Sequence, residues 1–132
     1  MHSPLSGGFL YHGTQYSGDQ AAVAQGDNFL SIIVPEIEAT SAFQNGTAVI
    51  EIWNDESEGG DTAAHDIPEI IISKDAVGNA FDVTELVTHS GSLLTDQEIF
   101  GTNCLLVSCG ATDLSAAFLP GSIPSSVPGR PP

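Results

Sequence analysis

Positive charge is almost missing from this chain. Lys74 and Arg130 are its only lysine and arginine, against 17 aspartates and glutamates, and the formal charge is -15 over 132 residues. Nucleic acid and anionic membranes are held by Lys and Arg, so neither is an expected partner. A phosphate ester would be repelled as well unless a cation lay between it and the protein. No apolar run approaches the roughly 20 residues of a membrane span. The opening residues have no basic region followed by an apolar stretch, so no signal peptide is visible. Cysteine is scarce too. Cys104 and Cys109 fall short of the roughly four ligands of a thiolate zinc site. They pair if the chain is exported, or remain two buried thiols.

Hydrophobic residues make up 41% of the chain, enough for one modest core. Residues 1–25 are broken by Gly and Ser and read as an irregular segment. Gly26, Asp27 and Asn28 are expected to open a helix, with Asp27 or Asn28 as its cap. Phe29, Leu30, Ile33 and Ile37 follow at helical spacing, and Pro35 limits its regularity. Asn45-Gly46 marks a turn. Residues 47–53 and 69–73 read as strands. Ile70, Ile71 and Ile72 form a continuous apolar run of the kind covered on both faces. A second helix is expected over 92–100, with Leu93, Leu94 and Ile99 as its apolar positions. Leu105, Leu106 and Val107 read as a short strand or as apolar loop packing. Residues 121–132 form a tail rich in Pro, Gly and Ser.

This order suggests part of an open α/β sheet, in which ligands bind beyond the carboxyl ends of the strands. The carboxylates concentrate there. Asn54, Asp55 and Glu56 follow the first strand directly and can offer oxygen ligands to a divalent cation. A solvated acidic turn is the plainer alternative. His65 with Asp66, and His89 with Ser90, lie at loop-to-element junctions suited to a ligand, an acid or a surface residue. No serine sits in a nucleophile elbow.

The ordered set of these stretches resembles the C-terminal part of the phosphoesterase family that includes bacterial acid phosphatases and phosphatidylcholine-type phospholipases C. The stretches are Gly26-Asp27-Asn28-Phe29-Leu30, Val34-Pro35-Glu36-Ile37 and Ala48-Val49-Ile50-Glu51-Ile52-Trp53-Asn54-Asp55-Glu56. They continue with Ile67-Pro68-Glu69-Ile70-Ile71-Ile72-Ser73, Thr88-His89-Ser90-Gly91-Ser92-Leu93-Leu94-Thr95-Asp96-Gln97-Glu98-Ile99-Phe100-Gly101, and Asp113-Leu114 before Phe118-Leu119-Pro120-Gly121. The resemblance implies an α/β fold, a partial alkaline-phosphatase-like α/β/α sandwich containing only its C-terminal strands and helices. It divides the chain into 1–25, which joins a missing N-terminal part, 26–120 of the phosphoesterase domain, and the tail 121–132. It implies a divalent metal held by an acidic pair after a strand ending in Trp. That pair is Asp55 and Glu56, or Asn54 and Asp55, depending on register. His89 matches a histidine that precedes the family's helix and either touches the metal or shapes the site. The nucleophile and remaining ligands would come from a missing N-terminal part or a complementing chain.

Three functions follow as expectations. The first is metal-dependent hydrolysis of phosphoric esters, with this chain supplying part of the metal site. The second is an acidic metal-binding protein using its loop carboxylates. The third is a non-catalytic structural fragment. Secretion or a periplasmic location is open for a full-length relative.

Overall fold

The computed structural model describes residues 8–54, 56–57 and 66–123. The chain divides into two compact units between Ile50 and Glu51.

The first unit contains strands β1 (Phe9–Tyr11) and β2 (Thr14–Tyr16), then helices α1 (Gly18–Glu38) and α2 (Ser41–Gln44). The strands pair antiparallel, with Phe9 opposite Tyr16 and Tyr11 opposite Thr14. His12 and Gly13 turn the hairpin with φ of 46° and 79°. Two successive positive φ values are what a two-residue hairpin loop requires, and glycine supplies one of them without a Cβ penalty. The hairpin packs on α1, whose buried residues are Ala21 and Ala24. Tyr11 Oη donates to Asp27 Oδ2 at 2.7 Å, and that bond holds the tyrosine hydroxyl above its ordinary range.

Two expectations are corrected here. Residues 9–25 are not irregular, and α1 begins at Gly18 rather than beside Asn28. Asp27 is a mid-helix partner of the hairpin instead of a cap. The first half of α1 buries alanines, so it lacks the apolar stripe that announces a helix, although alanine is the strongest helix former. Pro35 lies inside α1, which continues to Glu38 before Ala39 N–H bonds Pro35 O at 3.0 Å.

The second unit carries strands β3 (Ile50–Trp53) and β4 (Glu69–Ile72), which form a two-stranded sheet, and helix α3 (His89–Phe100). Two 3-10 turns follow, Leu106–Gly110 and Ser115–Ala117. Residues 75–77 return to pair with 117–119: Leu119 N–H bonds Asp75 O at 2.7 Å, and Val77 N–H bonds Ala117 O at 2.9 Å. Leu94, Leu114 and Phe118 are this unit's buried apolar residues. Ile70 was expected to be covered, but it is 52% exposed. Among the described residues of this unit, α3 is the α-helix that reaches the sheet, and it does so at Glu69, so the opposite face carrying Ile70 is left without a covering layer. Leu105, Leu106 and Val107 are neither strand nor packed loop. They form the exposed tip of a 3-10 turn closed by the Cys104–Cys109 disulfide.

Helix α3 departs furthest from the expected apolar pattern. Leu94 is buried as expected, but Leu93 is exposed and Ile99 half-buried, while Ser92, Thr95, Gln97 and Glu98 are buried. Thr95 Oγ1 accepts the Leu114 N–H at 2.8 Å and donates to Gly91 O at 2.9 Å. Ser108 Oγ accepts from Leu105 N–H at 3.0 Å and donates to Gln97 Oε1 at 2.8 Å. Gly91 lies so close to the Thr112 carbonyl that a Cβ there would collide with it, and with Val87 Cγ1 at 2.8 Å. Among the described residues, no helix is long and apolar enough to cross a membrane.

These contacts set the cost of two substitutions. Thr95→Val keeps the side-chain shape but leaves the buried Leu114 N–H without its acceptor, a loss of about 1–3 kcal/mol. Gly91→Ala should cost about 1–3 kcal/mol by forcing the Thr112 segment away. Urea denaturation of both variants checks this, and midpoints equal to that of the parent chain would contradict the packing.

Candidate functional site

β3 delivers Trp53 and then Asn54 to the end of the sheet, where both side chains are exposed. Glu56 follows and is also exposed. Asp55, the residue common to both registers, lies outside the described residues, as does His65. His89 is the first residue of α3 and is exposed. Its ring meets the Trp53 indole edge-on, with centroids 4.8 Å apart. Two stretches separated by more than thirty positions in the sequence therefore meet at the end of β3 and the start of α3.

A second group of polar residues lies along the same elements. Glu51 projects from β3 and Glu69 from β4, and their carboxyl groups lie close enough to share a hydrogen bond. Ser92 of α3 is 4% exposed and donates its hydroxyl to Glu69 Oε2 at 3.1 Å. Asp96, one turn further along α3, adds its negative charge near Glu51 and is itself exposed to the charge of Glu69. Burial, followed by the hydrogen bond to Glu69, pushes the Glu51 carboxyl from its ordinary 4.5 up to about 8. Burial, then the nearby charge of Glu69, also raises Asp96.

Sequence reading placed Glu51 inside a strand and gave Glu69, Ser92 and Asp96 no shared role. Glu51 and Glu69 are single acidic positions in otherwise apolar strands. That was the one signal available, and it becomes meaningful only when the strands are known to be neighbours. Ser92 is buried and bonded to Glu69, which gives it a structural role.

Comparison of the chain with protein-family models, with curated proteins and with solved structures found no match. The chemistry of the site therefore rests on its own residues. Asn54 and Glu56 carry the hard oxygen donors that suit a divalent cation. Among the described residues, however, no three His, Cys, Asp or Glu side chains gather closely enough to hold one. The described donors have suitable chemistry but do not form a complete shell. A cleft of about 810 Å³ bordered by Val77, Glu98, Asp113 and Phe118 shares no residue with this group.

Trp53 is the chain's single tryptophan, so its fluorescence reports the His89 contact without interference. His89→Ala should raise the acrylamide quenching constant of Trp53 because one edge of the indole is uncovered. An unchanged constant would show that the two rings do not meet in solution.

Proposed function

We propose that this chain is the C-terminal part of a metal-dependent phosphoric-ester hydrolase with a partial alkaline-phosphatase-like α/β/α fold. Asp55, together with Glu56 or Asn54, contributes to the metal site, and His89 borders the substrate. The supporting observation is the contact between Trp53 and His89, which joins the strand end carrying the acidic stretch to the start of α3. The resemblance in the sequence draws on these same two stretches.

The remaining roles follow from charge. A chain at -15 does not attract a phosphate ester, and a divalent cation would reverse the local sign and draw electrons from the phosphoryl oxygens. Asn54 directly follows the end of β3, and its side chain, like that of Glu56, reaches solvent. His89 begins a helix, whose positive dipole end favours an approaching anion. The imidazole supplies a hydrogen bond or a proton there. The attacking group and the other metal ligands come, in this reading, from a further segment or a complementing chain.

The experiment has two parts. The 132-residue chain alone, assayed on a phosphate monoester and diester with added Mg²⁺, Ca²⁺, Mn²⁺ or Zn²⁺, should show no turnover. Vigorous metal-dependent turnover by the monomer would refute the division of labour. In protein complemented by a segment that carries the attacking group, Asp55→Ala should lower activity by at least the 10²-fold or so typical of losing a major electrostatic group. Activity equal to the unsubstituted protein would remove Asp55 from the site. Tight stoichiometric Ca²⁺ binding by the isolated chain, measured by calorimetry, would favour an acidic binding protein instead.

A further inference from the structure

We propose that Glu51 of β3 and Glu69 of β4 share one proton beneath the first turns of α3, forming a pH-sensitive latch that holds the His89 end of the helix against the sheet. The inference concerns the packing of this chain and stands whether or not the metal reading holds.

The geometry starts from Glu69. Its Oε2 accepts the Ser92 hydroxyl, while its Oε1 is fully buried and has no hydrogen-bond partner. A buried carboxylate oxygen without a donor is costly. The carboxyl of Glu51, on the neighbouring strand and within hydrogen-bond reach of Glu69, can supply that donor only when it carries a proton. Two carboxylates in such contact cannot both ionise cheaply, so a shared proton is the expected state. Asp96 adds a third negative charge from α3 and strengthens the preference.

The remaining contacts connect this proton to the helix. His89, Ser92 and Asp96 follow one another at spacings of three and four, so they share the face of α3 turned toward the sheet. Ser92 ties that face to Glu69, and His89 ties it to Trp53. The groups acting on the Glu51 charge are Glu69 from β4 and Asp96 from α3, and both are acidic. Loss of the proton therefore leaves three carboxylates together between sheet and helix. Repulsion would loosen α3 at its N-terminal half, while Thr95 and Gln97 in its C-terminal half stay bound to Leu114 and Ser108.

The sign follows from linkage. A carboxyl whose folded value is raised binds its proton more tightly in the folded chain. Its stabilising contribution is complete below the unfolded value of 4.5 and is lost as pH rises through about 8. The raised Asp96 acts in the same direction.

The test compares the chain with Glu51→Gln, whose amide donates to Glu69 but has no proton to lose. In the parent chain, the melting temperature and the Trp53 emission should both change between pH 5 and pH 9, with the less stable form at high pH. In Glu51→Gln both should stay level across that range. Asp96→Asn should move the parent's transition toward lower pH, and an unmoved midpoint would overturn the three-carboxyl cluster. A carboxyl-carbon NMR titration of the glutamates gives a direct reading even if Glu51→Gln fails to fold. One glutamate in the parent should titrate several pH units above the others, and titration of every glutamate near its ordinary value would overturn the latch. Alkaline melting restored by millimolar Ca²⁺ or Mg²⁺, but not by NaCl of equal ionic strength, would identify a cation site there and also overturn it.

Discussion

Helix α3 is held on two sides by hydroxyl and amide groups rather than by a leucine stripe. Toward the 3-10 turns, Thr95 and Gln97 satisfy the Leu114 amide and the Ser108 hydroxyl. Toward the sheet, Ser92 engages Glu69. Buried hydrogen bonds are modest when made and costly when broken, because the partner left behind has no water to turn to. The second unit therefore depends on the correct position of α3 more than its small apolar core would suggest. Gly91 enforces the same position by allowing the Thr112 carbonyl to approach the helix backbone.

That dependence connects stability to the candidate site. His89 and Ser92 are separated by less than one helical turn, so whatever fixes Ser92 also aims His89 at Trp53. The carboxyl pair on β3 and β4 sits behind this arrangement. A half-buried acidic pair is a poor choice for stability alone, since apolar residues of similar size often serve as well or better. Its presence makes the helix responsive to protonation, a property an apolar seam would lack.

The first unit follows a different economy. Its hairpin is secured to α1 by small buried alanines and by the Tyr11–Asp27 bond. The units share the acidic character of the chain, in which Lys74 and Arg130 are the only lysine and arginine. Salt and divalent cations should consequently affect this protein more than its size implies.

The sequence by itself located β3, β4 and α3 to within a few residues, because short β-branched runs and a glycine-ended helix leave local signatures. The Asn45-Gly46 turn was legible for the same reason, and Gly46 adopts the φ of 74° that its glycine permits. The N-terminal hairpin and the alanine-rich start of α1 were not legible, since three-residue strands and buried alanines carry almost no periodic hydrophobic signal. Of the candidate site, the residue types at Asn54, Asp55, Glu56 and His89 could be read in the chain, and their chemistry follows from composition. Their neighbourhood could not be read. The meeting of Trp53 with His89, and of Glu51 with Glu69 and Ser92, spans strands and a helix distant in sequence. Only the tertiary structure decides such contacts, because proximity across elements depends on how the chain returns on itself rather than on any local pattern.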